Sequence, residues 1–483
     1  MNILLITLDQ FRGDALSCAG HPLVKTPHLD ALAAEGTRFA RHYSQSAPCA
    51  PGRASLYTGL YQMNHRVVAN GTPLDARFDN VALAARRAGY APVLFGYTDQ
   101  SVDPRETNGP HDPRLKGYEG ILPGFDEGLH LPESAPTAWL AWLTSLGHAL
   151  PEKAKDVLAQ EPLRPAEHSI TAFLTDRFLA WLGEQNNPWF AHLSHLRPHP
   201  PYAAAGHFSK MYDPDAVTLP LAPAEERHAA HDMLLRLPVF AAPADEAERR
   251  HMTAQYFGMV SEADFQLGRV WDALKASGRW NDTVIVVTSD HGEMLGDHGL
   301  KQKGGFFEQS YHIPAIVRDP RGTPGQVVTH FTEAVDIFPT LCEGMDIPVP
   351  AQCDGVPLTP FLKGETPSDW RRAAHWEFDW RGWFIPHVAP AASWERSQEK
   401  QNLAVIRDAE TAYVHFGDGT SLCFDLARDP TWRSLTTDPA RHLAMAERML
   451  TWRAQHQDRT LTGMLVSNGG IGRWPEMPKG WGG

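Results

Sequence analysis

The sequence predicts an α/β fold, a three-layer α/β/α sandwich with a large, mostly parallel sheet, and a smaller antiparallel α+β domain after it. Three observations carry this. Continuous apolar, β-branched runs such as Asn2–Leu8 and Thr283–Thr288 read as strands buried on both faces. Helical stripes stand between such runs, the clearest with Ile170, Phe173, Leu174, Phe178, Trp181 and Leu182 on one side. Past Gly364–Pro367 the pattern changes to short strands in quick succession, so the expected division is 1–367 and 368–483.

After the first strand, Thr26 is the expected cap of a helix with Pro27 in its first turn and Gly36 at its exit. Thr37–Tyr43 is a strand candidate. Asn80–Ala88 is a short helix ending at Gly89, and Tyr90–Phe95 a further strand. Ser169–Leu182 is a helix and Trp189–Leu193 a strand. Glu248–Ser277 reads as one or two long helices closed by Gly278. His312–Val317 is a strand and Val335–Glu343 a helix. The second domain offers strands at Leu403–Ile406, Ala412–Phe416 and Leu422–Phe424, then a helix opened by Asp438-Pro439. Ser101–Glu167 and Pro201–Glu246 show no clear period and read as long binding loops. Their aromatics, including Trp139, Trp142, Phe208, Tyr212 and Phe240, are candidates to line a leaving-group pocket. The Gly- and Trp-rich tail after Met464 reads as an arm on a neighbour or a frayed end.

Composition narrows the class. With 483 residues, 42% of them apolar, there is material for a large core. Acids outnumber bases 57 to 44, which disfavours a nucleic-acid binder and leaves room only for a local anion pocket. No apolar run approaches membrane-spanning length. Five cysteines, an odd number, do not form a disulfide framework and fit a reducing compartment. The short apolar start runs straight into Asp9-Gln10, unlike a cleaved leader, so a cytoplasmic protein is expected.

Ligands of open α/β sheets gather outside the carboxyl ends of the strands. Asp9-Gln10, Asp290-His291, and Tyr97 with Asp99 all come just after predicted strands. Two carboxylates, an amide oxygen and one imidazole suit a hard divalent cation, Mn, Ca or Mg better than Zn, with Ca or Mn the expected ion. Singly, Asp9 and Asp290 would serve equally well as turn or cap residues.

The most specific stretch is Ser46 to Gly59, which holds Cys49, Pro51 and Arg53 in the order C-x-P-x-R and ends in Thr58-Gly59. It resembles the signature of the formylglycine-dependent sulfatases of the alkaline phosphatase superfamily. That superfamily has an alkaline-phosphatase-like sandwich fold. The resemblance extends to Thr26–Asp30, Arg197–Pro201, Ser289–Glu293, Leu295–His298, Asp354-Gly355 and Ala454–Leu461. Gln10, Met63–Arg66 and Asp458–Thr462 look closest to the arylsulfatase and phosphonate monoester hydrolase branch.

The resemblance implies that Cys49 is oxidised to formylglycine by a formylglycine-generating enzyme. Its hydrate would be the nucleophile on one divalent ion held by Asp9, Gln10, Asp290 and His291, with residue 49 a further ligand. Arg53 would hold the hydrate and the ligand carboxylates, in the first turn of the helix after Cys49. His199 and Lys303 would meet the ester oxygen or leaving group, Lys301 being the neighbour with which Lys303 is most easily confused. Asn70 and Tyr97 would contact the transferred group. Asp297 and His298 are expected to play supporting parts. The implied substrates are small sulfate or phosphonate esters, handled by a promiscuous homo-oligomer, dimer or tetramer.

Two positions depart from the family pattern. Gly96-Tyr97-Thr98-Asp99 stands where typical arylsulfatases carry G-K-W-H, so a lysine and a histidine are missing. Losing a positive charge favours singly charged esters, and Asp99 is the expected replacement base. Gly52 stands where Ser, Thr or Ala is usual. Two other readings compete: a two-metal phosphatase or phosphomutase, which needs a Ser or Thr nucleophile, and a binding protein that kept only the fold.

Overall fold

A computed structural model describes residues 1–381, 399–459, 461–462, 464–467 and 470–473. The main sheet has eight strands: β1 (Asn2–Leu8), β2 (Thr37–Tyr43), β4 (Val93–Gly96), β5 (Asp126–His130), β6 (Phe190–His195), β7 (Thr283–Thr288), β8 (Ala315–Arg318) and β9 (Gln326–Glu333). Their order across the sheet is β5-β4-β6-β1-β7-β8-β2-β9. The five strands from β5 to β7 are parallel, and β8 is antiparallel to both neighbours. One face packs against the Ile170–Glu184 and Glu246–Ala276 helices, the other against the Cys49–Thr58, Val81–Arg87 and Ile337–Gly344 helices. β1 and β7 are buried along their whole length, as apolar strands covered on both faces must be.

The smaller sheet joins β10 (Ala374–Asp379), β11 (Asn402–Arg407), β12 (Thr411–Phe416) and β13 (Ser421–Asp425) as antiparallel neighbours. It also takes in β3 (Ser46–Ala47), parallel to β10. The strand that leads directly into the Cys49 helix therefore belongs to the second sheet. The Pro439–Gln455 helix covers this sheet with Met445, Met449 and Trp452.

The Asp438 side chain accepts from the first turn of its helix as expected, and Asn80, Ser169 and Asp245 do the same for theirs. Thr26 is a correction. Its hydroxyl is taken up by Ser17 and Asp30, and the Pro27–Glu35 helix is capped instead by the Asp264 carboxylate, which accepts from His28 and Leu29 backbone N–H. The long helix is continuous over Glu246–Ala276 rather than split in two. Ser101–Glu167 is also less irregular than expected, since it contains β5 and the Thr137–Ser145 and Ala154–Ala159 helices. Trp139, Trp142, Phe208 and Tyr212 pack into the core on the helical side, and Phe240 packs beside Gly304.

Asn64 and Arg459 meet at one place. The Asp354 carboxylate accepts from Tyr61 N, Asn64 Nδ2 and Arg459 Nη2. This ties the segment after the Cys49 helix to the end of the chain. Residues 464–467 and 470–473 pair as antiparallel strands, and the rest of the expected arm, 468–469 and 474–483, lies outside the described residues. No helix among the described residues is long and apolar enough to cross a membrane.

Candidate active site

Five adjacent strands deliver the site. Their carboxyl ends lead into Glu133 (β5), Tyr97 and Asp99 (β4), His199 (β6), Asp9 and Gln10 (β1), and Asp290 and His291 (β7). Cys49 arrives from the opposite layer as the first residue of its helix, and Arg53 lies one turn further on, past the first turn in which it was expected. Gly52 lies against the Asp290 backbone: a Cβ there would fall 2.4 Å from the Asp290 carbonyl oxygen. Glycine at that position lets the helix sit this close to the β7 loop.

Asp9, Cys49, Asp290 and His291 are all buried, and one potential ligand atom from each lies within 4.8 Å of the others. His291 Nε2 is 3.3 Å from Cys49 Sγ, 3.8 Å from Asp9 and 3.7 Å from Asp290. His291 Nδ1 is 3.0 Å from the Gly292 carbonyl. Donation there fixes the tautomer and leaves the Nε2 lone pair facing the carboxylates, as in metal-ligating histidines. The donor set therefore fits a hard divalent cation. The thiol is the exception. Burial first, then Asp9, pushes the Cys49 thiol well above its ordinary range. A neutral thiol is both a poor nucleophile and a poor ligand.

Arg53 is fully buried and joins both carboxylates, Nε to Asp290 at 2.9 Å and Nη2 to Asp9 at 3.1 Å. Its Nη1 donates to Ser194 Oγ and the Tyr97 carbonyl, and the guanidinium lies 4.3 Å from the Tyr97 ring centroid. Tyr97 donates its phenolic proton to Asp9 at 2.6 Å. Burial opposes the Asp9 charge, but the surrounding cationic groups, with Arg53 and Lys303 among them, hold its carboxyl well below the usual range.

Lys303 is buried in the site, whereas Lys301 is only half-buried. Its ammonium donates to Gln10 Oε1 at 2.7 Å and His199 Nε2 at 2.9 Å. Gln10 is held by Glu293, which accepts from its Nε2, and its backbone N–H donates to Asp290. Burial, reinforced by Lys303, pushes His199 down to about 3, so it is neutral. Arg197, itself fully buried and paired with Glu161, donates to the His199 and Pro201 carbonyls and shapes that turn.

Asn70 Oδ1 accepts from Ala50 N, next to Cys49. Asp99 sits in the left-handed region at φ 52°, is buried, and its Oδ1 has no partner among the described residues. Burial, with Asp9, Glu119 and Asp290 adding to it, raises its pKa well above the carboxylate range. Asp297 pairs with Arg12, and His298 stacks on Phe307, so both support the loop. Sequence reasoning missed Glu133, whose Oε1 lies 3.6 Å from His199 Nδ1.

Known proteins resemble this chain over most of its length. The family model described as "Sulfatase" matches residues 1–347. A protein from Trinickia caryophylli, named multifunctional alkaline phosphatase superfamily protein PehA, is 38% identical over 97% of this chain and 98% of its own. An arylsulfatase of Clostridium perfringens is 29% identical over 78% of this chain and 81% of its own. The crystal structure of the phosphonate monoester hydrolase of Agrobacterium radiobacter is 45% identical, covers 98% of this chain and 99% of that one, and superposes with a TM-score of 0.88. With the signature cysteine set among the buried carboxylates and imidazole, and the match running through both sheets, this chain belongs to the sulfatase family of the alkaline phosphatase superfamily and is a hydrolase.

Proposed function

We propose that the chain hydrolyses sulfate monoesters, with phosphonate monoesters and phosphodiesters as further substrates. The observation that carries this is the convergence of Asp9, Cys49, Asp290 and His291 within 4.8 Å, braced by Arg53. Asp9, Gln10, Asp290 and His291 would hold one Ca or Mn ion, which when bound polarises a substrate oxygen and lowers the pKa of a coordinated hydroxyl. Oxidised by a formylglycine-generating enzyme and hydrated, residue 49 supplies one hydroxyl as nucleophile and a second for release of the transferred group.

The remaining roles belong to the chain's own side chains. Arg53 fixes both carboxylates, so neither ligand reorganises during turnover. Asn70 and Tyr97 orient the transferred group. Lys303, still cationic beside neutral His199, is the proton donor to the leaving oxygen. Asp99 accepts the proton that releases the transferred group. What supports this is its buried Oδ1, which has no partner among the described residues.

A second reading makes phosphonate monoesters and phosphodiesters the principal substrates, and the likeness to the Agrobacterium radiobacter hydrolase favours it. All of these esters are singly charged. A panel of aryl sulfate, aryl phosphonate, phosphodiester and phosphate monoester, on enzyme co-produced with a formylglycine-generating enzyme, ranks them by kcat/KM. The expected order places the doubly charged phosphate monoester last. We also assign the protein to the cytoplasm and to a homo-oligomer, dimer or tetramer. All five cysteines are unpaired, which supports the former, and light scattering tests the latter.

A further inference from the structure

Glu293 follows Asp290 and His291 on the loop after β7 and is fully buried. Its hydrogen-bond partners among the described residues are all donors. Oε1 accepts from the backbone N–H groups of Leu295 at 2.8 Å and Gln302 at 2.6 Å. Oε2 accepts from the Tyr202 hydroxyl at 3.0 Å and from Gln10 Nε2. One carboxylate therefore joins the residue after Asp9, the segment that carries His199, its own loop, and the residue before Lys303. Both of its oxygens are anchored, so it is a fixed point in the floor of the site.

The Gln10 amide has an acceptor at one end and two donors at the other. Lys303, which can only donate, stands 2.7 Å from the oxygen end. Glu293 takes the nitrogen end, with Gln302 Oε1 at 3.3 Å beside it. A flipped amide would set its NH2 against the ammonium and its oxygen against the carboxylate, two mismatches in a buried place. In the orientation observed, the oxygen keeps a second lone pair besides the one that Lys303 uses, and that pair is available to a cation. A carboxylate at position 10 would instead abut Glu293 away from water, so the same group also favours a neutral amide there.

We propose that Glu293 is a positioning residue that turns the Gln10 amide so that its oxygen, and not its NH2, faces the divalent cation. This rests on the reading that Gln10 is one of the cation's ligands. Glu293 touches neither cation nor ester; it acts through the hydrogen bond to Gln10.

The test measures Mn2+ affinity, by competition with a chelator, on protein co-produced with a formylglycine-generating enzyme. Glu293→Gln keeps an oxygen for the Leu295 and Gln302 N–H groups and puts an NH2 opposite Gln10, so the Gln10 amide turns over and its oxygen leaves the cation. Affinity is expected to fall about tenfold to a hundredfold. In a Gln10→Ala background the same change is expected to cost less than about twofold, because the group it acts through is gone. In a Gln10→Glu background it is expected to raise affinity about threefold to tenfold, because the new NH2 donates to the carboxylate at position 10. A role in folding alone gives the same loss in all three backgrounds. That result overturns the proposal, and so does Glu293→Gln affinity within about twofold of wild type. Should Glu293→Gln alone not fold, the Gln10→Glu background decides: the gain there supports the proposal, and no gain overturns it. Gln10→Ala that binds Mn2+ as tightly as wild type overturns the ligand reading of Gln10 and this proposal with it, whereas a loss in Gln10→Ala without one in Glu293→Gln overturns this proposal alone.

Discussion

The Lys303 ammonium lies 2.9 Å from Nε2 of His199, whose Nδ1 is 2.7 Å from the Pro200 carbonyl. Only one protonation pattern satisfies both contacts: Nδ1 donates to Pro200, and Nε2 accepts from the lysine. The histidine is thus neutral and the lysine holds the proton. Removing Lys303 should therefore hurt esters with poor leaving groups most. For Lys303→Ala we expect a loss of about a hundredfold or more in kcat for a phenol-type leaving group and about tenfold or less for a nitrophenol. A Brønsted plot over substituted phenyl sulfates reads this as a steeper slope.

Asp99→Asn should leave the first half of the reaction running and block release. Intact-mass measurement after a single mixing with substrate is expected to show accumulated sulfated or phosphonylated protein. Steady-state turnover like that of wild type would remove Asp99 from this role.

Gly52 fits because it has no side chain. Gly52→Ser places a Cβ 2.4 Å from the Asp290 carbonyl, and backbone cannot yield as a flexible side chain can. We expect a loss of about 1–3 kcal/mol in stability, with falling metal affinity, read by thermal melts and metal titration.

Glu161→Gln leaves Arg197 buried without its charge partner. The expected cost is about 3–5 kcal/mol. Arg197 also donates to the carbonyls around His199, so the surviving enzyme should lose kcat more than it raises KM. Chemical denaturation and a kcat/KM split separate the two effects.

Stability should fall on the acid side well before carboxylates titrate. His42, His65, His192 and His195 are buried, and burial holds each down to about 3. The unfolded chain binds protons at these sites near pH 6.5, which the folded chain cannot do. Their stabilisation is full above pH 6.5 and is lost as pH falls towards 3, at up to about 1.4 kcal/mol per pH unit for each. Melting temperature measured from pH 8 to pH 5 should be flat at first and then drop below about pH 6.5.

Much of this was readable in one dimension because the strands that matter are continuous apolar runs. β1 and β7 announce themselves, and residues just past the carboxyl end of a buried strand in such a sheet lie near the ligand. That logic pointed to Asp9, Asp290 and Tyr97 as candidates, and the resemblance of the Cys49 segment to the sulfatase signature pointed to Arg53. It failed at β5, whose residues Asp126, Glu127, Gly128, Leu129 and His130 form an edge strand with three exposed positions and no apolar run. Glu133 was missed with it. The available signal was Gly128, where a Cβ would strike the Phe95 ring. Asp264 capping a distant helix, and Arg197 shaping the His199 turn, depend on contacts between far-separated segments that no local pattern encodes.

On the proposed mechanism residue 49 acts as a carbonyl, and burial pushes its unmodified thiol well above the ordinary range. Peptide mass mapping of preparations spanning a range of specific activities measures it directly. Activity is expected to rise in proportion to the fraction of chains carrying formylglycine at residue 49; full activity in a preparation whose residue 49 is entirely unmodified cysteine would contradict the account.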